Sequence, residues 1–511
     1  MSSMASGGFG EIDWAVLGGY FLVLIATGVV FTRSQNSTDD YFRASGKVPV
    51  FAAAISFLAT ALSAATFVGG PQQSFTGDLT YLSSNIGSII AIIIVAVFFV
   101  PAFYRNKVST VYGLLHKRFG APASTAASVA FLVGRVFASG ARIYIAALPA
   151  SLIMFGDIIW QHQLVAIAGL TMVGIVYTYA GGIRTVIFTD VIQTFIFVGA
   201  ALVALVMLLH QIPVGISEII DILRHPGEGM ASKLTIMPLG FKGFGPEHTY
   251  TFLSAVFGFT LLTLGSYGTD QDMAQRLLTL KDARKGKQSA VWGILIGLPV
   301  TFLFMVIGLL LFIFYSRPDV MGAMVPGYAV EGSRKIFLSY ILHEAPPGIT
   351  GLMMAGLFAA GLSSLNSAIN SMSSSFVNDL YKRWKPARSE AHYLKVGRSG
   401  VAIIGVILGM FAVFSVFWQE ARPETTLINF ALLVMVFAYS GLVAVFLTAL
   451  FTKRGNNATV IAAIATGFLS VVVMQTWFAK DIAFPWQMFV ATTLAFVVCV
   501  SGKRGASSGE V

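Results

Sequence analysis

The chain has 511 residues, 56% of them hydrophobic and 11% charged, with 51 Gly, 42 Phe and a mean hydropathy of +0.79. A soluble domain carries roughly 25% charged residues, and no globular core of this length encloses so much apolar side chain, so the composition excludes a soluble protein and implies a polytopic membrane one. A single cysteine, Cys499, excludes a disulfide framework, and the formal charge of +10 fits basic loops on one side of a membrane better than a nucleic-acid surface.

A spanning helix needs about 20 mostly apolar residues, because lipid offers the backbone no hydrogen-bond partner. Thirteen stretches qualify, at about 13–32, 49–71, 82–104, 122–154, 160–179, 185–210, 248–267, 289–316, 347–378, 396–418, 424–451, 457–478 and 484–502. The first twelve residues hold no Lys or Arg and the first apolar run is long enough to span, so it reads as a retained helix and not a cleaved signal. With residue 1 outside, twenty-three basic residues, Arg33 and Arg504 among them, fall on the cytoplasmic loops. Only Arg224, Lys233, Lys242, Arg317, Arg334, Lys335, Arg422 and Lys480 fall on the other side. Positive charge is retained inside, so the expected topology is N-terminus out and C-terminus cytoplasmic, with a short polar tail after Lys503 and no appended domain.

The second span contains Ala59-Thr60-Ala61-Leu62-Ser63-Ala64-Ala65-Thr66, rich in small and hydroxylated residues. Such a segment is either a close helix contact or a helix broken near mid-membrane, whose freed carbonyls and hydroxyls bind a cation or solute. In the fourth span Arg135 and Arg142 lie seven apart and share a face, although a mid-helix charge costs on the order of 2.5–3.5 kcal/mol. Arg135 reads as a carboxylate ligand through its planar fork, and Arg142 as structural as readily as binding. Asp190 opens the sixth span, as a cap, an ion pair or a functional carboxylate.

The seventh span holds Gly258, Gly265 and Gly268 with Thr260 and Thr263, and reads as a second break. It lies five spans after the first, the spacing of two inverted five-helix repeats. Thr269-Asp270-Gln271-Asp272-Met273-Ala274-Gln275-Arg276 then reads as a solvated charged face. The ninth span carries Ser363, Ser364, Asn366, Ser367, Asn370 and Ser371. Those groups either hydrogen-bond between helices or supply the neutral oxygens that replace the water shell of sodium. The seven histidines lack metal spacing, and no phosphate loop or nucleophile elbow is present, so no enzymatic activity is expected.

These segments together resemble the sodium:solute symporter family. The resemblance runs from about residue 13 to 500 and rests on four motifs: Asp40-Tyr41-Phe42, Tyr177 to Gly182 with Thr189-Asp190 and Gln193, Asp270-Gln271 with Gln275-Arg276, and Ser363 through Tyr381. It implies an all-α, leucine-transporter-like fold. The expected parts are a first helix and linker (1–48), two five-helix repeats (49–210 and 248–451) separated by an external loop (211–247), and two final helices with a short tail (452–511).

By the same resemblance, sodium is held by the backbone of Ala59, Leu62 and Ser363 with the side chains of Asn366 and Ser367. A second sodium falls to Asp190, Asn366 and Asn370, where Ile369 offers no oxygen. Within the family the likeness to bacterial sialic-acid symporters places substrate at Ser63, Thr66, Tyr81, Asn85 and Arg135. The implied function is sodium-driven import of a sialic acid or another carboxylated sugar by alternating access. Alternatives are a neutral sugar, monocarboxylate, vitamin or amino acid as solute, or a uniporter or transceptor. Sodium, the solute and the lipid bilayer are the expected partners, without organic cofactor, nucleic acid or obligate protein partner, in a plasma membrane of the bacterial inner-membrane kind.

Overall fold

The computed structural model describes residues 9–31, 37–322, 332–421 and 425–503; Arg33, Arg422 and the tail from Arg504 lie outside the described residues. The helices in chain order are α1 (Glu11–Phe31), α2 (Val50–Ala61), α3 (Ala64–Thr76), α4 (Thr80–Arg105), α5 (Ala121–Phe155), α6 (Trp160–Tyr179), α7 (Gly181–Gln211) and α8 (Phe252–Thr269). They continue as α9 (Gln271–Leu278), α10 (Ala283–Ser316), α11 (Ile349–Trp384), α12 (Glu390–Glu420), α13 (Leu427–Phe451), α14 (Asn457–Trp477) and α15 (Phe484–Ser501). Among the described residues, 12 of these are continuous and apolar enough to cross a membrane. The segment expected to cross at 49–71 holds two short helices, α2 and α3.

Local sequence explains where these helices start and stop. The side chains of Ser389, Thr426 and Asn456 accept from the amides of His392, Asn429 and Thr459, which caps α12, α13 and α14 where their first amides lack partners. α6 and α7 form one run of 52 helical residues interrupted only at Gly182, with φ 59° and ψ −172°. A side chain is not tolerated in that backbone region, so glycine makes the joint.

α11 occupies the centre. Every residue from 353 to 375 is buried. It packs against α5, α6, α7, α12 and α1, and so sees protein all round. The outer helices show lipid an apolar face, with Leu22, Ile25, Ile403, Met410 and Phe414 exposed.

The break expected in the seventh span is absent. α8 stays right-handed helical to Thr269 and contains two wider turns with i to i+5 bonding, Ala255–Phe259 and Gly265–Thr269. Its glycines serve contact: a Cβ on Gly258 would lie 2.4 Å from the Pro485 carbonyl oxygen, and one on Gly265 would lie 2.6 Å from Tyr439 Cβ. Close backbone approach is the other use of small residues in membrane helices, and here it is the one realised.

One long-range clamp ties the 211–247 segment to the bundle. The Lys233 ammonium donates to the carbonyls of Phe75 (2.8 Å) and Gly77 (2.7 Å) at the C-terminal end of α3, and lies 4.1 Å from the Phe312 ring centre. A cation there suits the negative end of the helix dipole. Burial nevertheless lowers the Lys233 pKa to about 8.

Candidate functional site

The chain leaves α2 through two extended residues, Leu62 (φ −84°, ψ 140°) and Ser63 (φ −146°, ψ −179°), before α3 begins. The segment read as either a close contact or a break is therefore a break. Small side chains make it possible in lipid because neighbouring helices wrap it; Ala59, Leu62, Ser63 and Thr66 are all buried. Helix ends leave carbonyls without intrahelical partners. That of Thr60 is taken by the Arg142 guanidinium at 3.3 Å. The start of α3 is satisfied by a reciprocal cap, in which Ser63 Oγ accepts from Ala65 N (3.2 Å) and Thr66 Oγ1 from Ser63 N (3.4 Å).

On one side of the break lies a cavity of about 10 Å³, room for a single water or a small ion. Ala59, Leu62, Gln193, Thr194, Ala360 and Ser363 line it. Gln193 is buried, its amide nitrogen faces Tyr20 Oη at 3.2 Å, and its Oε1 has no hydrogen-bond partner. An unpaired buried carbonyl beside such a cavity is an oxygen ready for a cation.

On the other side, a polar cavity of about 110 Å³ is lined by Ala61, Tyr81, Ser84, Ser88, Arg142, Thr263, Ser266, Tyr267 and Met435, among others. The second guanidinium nitrogen of Arg142 faces Met435 Sδ at 3.7 Å. No carboxylate pairs with Arg142 among the described residues. A buried, unpaired guanidinium is costly unless something anionic visits it.

A buried ladder of charges starts from Ser363 at the small cavity. Asp190 accepts from Ser363 Oγ (2.6 Å), Ser56 Oγ (2.5 Å) and Arg276 (3.3 Å). Arg276 also donates to Ser56, to the Asp272 carboxylate (2.9 Å) and to Ser367 Oγ. Asp272 is paired in turn with Arg135, whose other nitrogen donates to Asp270 at 2.9 Å, and Tyr439 Oη donates to Asp270 at 2.5 Å. The stretch expected to be a solvated face is thus interior, since Asp270, Gln271, Asp272, Gln275 and Arg276 are all fully buried. Their charges are tolerable there because each is paired and hydrogen-bonded.

The residues expected to act together divide as follows. Ala59, Leu62 and Ser363 meet at the small cavity. Asn366 does not line it; its Oδ1 lies 3.2 Å from Thr178 Oγ1, toward α6, and it borders a lipid-side crevice with Phe21, Leu24 and Met172. Ser367 is engaged by Arg276. Asp190, Asn366 and Asn370 share no partner, for Asn370 Oδ1 accepts from Gln275 at 3.0 Å. Ser63 and Thr66 cap α3, and Tyr81 lines the larger cavity. Asn85 is half-buried and outside that lining, where Ser84 and Ser88 stand one helical turn apart. Arg135 is held by two aspartates, Asp270 and Asp272, and Arg142 is the arginine that faces a cavity. The signal available in the sequence was the acid pair Asp270 and Asp272, which required a buried cation and left one arginine of the two unclaimed.

Residues 41–467 match the profile of the sodium:solute symporter family. The sodium/sialic acid symporter of Proteus mirabilis is 29% identical over 478 residues, spanning 93% of this chain and 91% of its own. A solved structure of a sodium-coupled sialic acid symporter, substrate-bound and outward-open, superposes with a TM-score of 0.80 at 27% identity, covering 96% of this chain and 98% of that one. The transporter Mhp1 of the nucleobase-cation-symport-1 family, in a closed conformation, shares the fold at 14% identity, with a TM-score of 0.54 over 92% of this chain and 94% of its own. The architecture is the leucine-transporter-like one.

Proposed function

Because the chain belongs to the sodium:solute symporter family, we propose that it imports a sialic acid or another carboxylated sugar together with sodium, with Arg142 receiving the carboxylate. The observation that carries this reading is the unpaired Arg142 guanidinium in a polar cavity beside the break. A planar guanidinium offers two parallel N–H groups to a carboxylate. Ser84, Ser88, Thr263, Ser266 and the phenol groups of Tyr81 and Tyr267 supply hydroxyls for the rest of a sugar acid. Ser63 and Thr66 stand at the break itself. The relatives named for sialic acid support this solute class.

Sodium, in the same reading, sits in the small cavity on the carbonyl oxygens of Ala59 and Leu62, the Ser363 oxygens and Gln193 Oε1. Both sites share the α2–α3 break, so each ion or solute that binds there biases the same hinge between outward and inward states. We read residues 49–210 and 248–451 as the two repeats, and the N-terminus as external in a bacterial inner membrane.

The test is uptake of radiolabelled sialic acid, glucose and lactate into proteoliposomes with and without an inward sodium gradient. Sodium-dependent uptake of sialic acid alone supports the proposal. Uptake of glucose with no competition by sialic acid overturns the carboxylate reading.

A further inference from the structure

Between Lys233 and the start of α8 the chain leaves open what a loop in water would cover. Leu239, Phe241 and Phe244 each expose more than half of their surface, and Ile236 nearly half. The segment is nevertheless held in place. At one end Lys233 grips the carbonyls of Phe75 and Gly77. Further along, the Pro238 carbonyl accepts from Phe252 N at 3.1 Å and the Phe244 carbonyl from Ala483 N at 2.7 Å. Phe252 is the first residue of α8, and Ala483 immediately precedes α15. Two bonds to the ends of two spans set the segment at the level where those spans leave the hydrocarbon layer.

The apolar surface runs on into the lipid-facing flank of the bundle. The rings of Phe241 and Phe244 meet edge-on at 5.0 Å, and Phe244 lies 5.2 Å from Trp486 in the first turn of α15. Trp486 lies 6.3 Å from Phe489, and Phe489 5.5 Å from Phe257 of α8, which is exposed. Val490, Leu494 and Val497 continue the exposed stripe along α15. Aromatic rings gathered at the end of a span suit the boundary between lipid and water. The indole N–H of Trp486 is buried without a hydrogen-bond partner, a donor that a lipid ester or phosphate oxygen can satisfy. Lys242, the one charged residue between Lys233 and Glu247, is exposed among these side chains.

We propose that residues 236–244 form a hook seated in the leaflet interface beside α8 and α15, with Lys242 on the phosphate of an anionic phospholipid headgroup. On a surface facing water, an apolar patch marks a docking site for another protein. Here the patch is continuous with the lipid-facing stripe, fixed at the ends of two spans and accompanied by a single basic charge, and that combination fits a bilayer surface.

The test places a polarity-sensitive fluorophore on Leu239→Cys in the full chain, reconstituted in vesicles of phosphatidylcholine and phosphatidylglycerol; Cys499 is buried and stays unlabelled. The probe is expected to be quenched by lipids spin-labelled just below the headgroup and shielded from aqueous iodide. A probe on Glu228→Cys, exposed in the same loop, serves as the reference open to water. A Leu239 probe that iodide quenches and the lipid label does not overturns the hook and assigns the patch to a soluble protein partner. Phe241→Cys repeats the measurement if the first variant misfolds. For Lys242, the labelled site is expected to favour spin-labelled phosphatidylglycerol over spin-labelled phosphatidylcholine ~5-fold, and to lose that preference in Lys242→Gln. Equal quenching by the two lipids with Lys242 in place overturns the headgroup contact.

Discussion

Arg142 and Arg135 sit on one helix, and replacing each by methionine separates their roles. Arg135 holds Asp270 at 2.9 Å and also Asp272, both fully buried. Its loss strands two carboxylates, and breaking a buried pair in this way costs about 3–5 kcal/mol. Arg142 gives up one 3.3 Å bond to the Thr60 carbonyl and a sulfur contact, worth about 1 kcal/mol, and its removal relieves an uncompensated buried charge. Arg142→Met is therefore expected to melt within a degree or two of the unaltered protein in detergent, or above it, whereas Arg135→Met melts far lower or fails to fold. Transport is where Arg142 counts. Two charge-assisted bonds to a carboxylate at about 1.5 kcal/mol each raise the half-saturating sialic acid concentration roughly 100-fold in Arg142→Met. The reasoning is refuted if Arg142→Met is the more destabilised of the two, or if it takes up the acid with unchanged affinity.

Three further outcomes follow from the structure. Gln193→Leu removes the unpaired oxygen at the small cavity and is expected to raise the sodium concentration for half-maximal uptake ~10-fold with the solute affinity at saturating sodium unchanged; an unaltered sodium curve removes Gln193 from the site. At Gly87 of α4 a Cβ would stand 2.6 Å from the Ala255 carbonyl oxygen and 2.7 Å from Thr260 N, all backbone of α8, so Gly87→Ala is expected to cost about 1–3 kcal/mol in thermal stability, and a neutral result would show that α4 and α8 part freely. Lys233 has its pKa lowered from 10.5 to about 8, so below that pH folded and unfolded chains are both charged and the burial penalty is borne in full. Above it the unfolded chain binds the extra proton, and the residue's contribution to stability rises between about pH 8 and 10.5. The melting temperature of the unaltered protein relative to Lys233→Met should climb over that range, and a constant difference contradicts the assignment.

Twelve of the thirteen expected crossings appear as continuous apolar helices among the described residues, because apolar length is a property of the chain alone and lipid enforces it. The break at Leu62 and Ser63 was legible only as one of two readings, because a run of small and hydroxylated residues serves a close helix contact as well as an interruption. The supposed break in α8 misled because glycine has two uses in a membrane helix, interruption and close contact, and composition does not separate them; Pro485 and Tyr439, far away in sequence, decide it. Arg135 and Arg142 show the same limit in electrostatic form. Both look equally available along α5, and only the folding of Asp270 and Asp272 against one of them leaves the other facing the cavity. Likewise Gln193 was visible as part of a motif, but its orphaned oxygen is a fact of three dimensions.

The joint at Gly182 has a mechanical consequence. Fifty-two helical residues would extend about 78 Å if straight, more than twice the thickness of a hydrocarbon layer of about 30 Å, so the whole change of direction between two crossings falls on one residue. A link that short contains no slack. α6 and α7 cannot slide past each other or tilt separately by much without unwinding at that point, and so they travel as one lever. Asp190 is carried eight residues along that lever and hydrogen-bonded to α2 through Ser56 and to α11 through Ser363. Any motion of the α6–α7 pair is therefore delivered to the broken helix and to the central serine-rich helix at the same instant, with no separate linkage required.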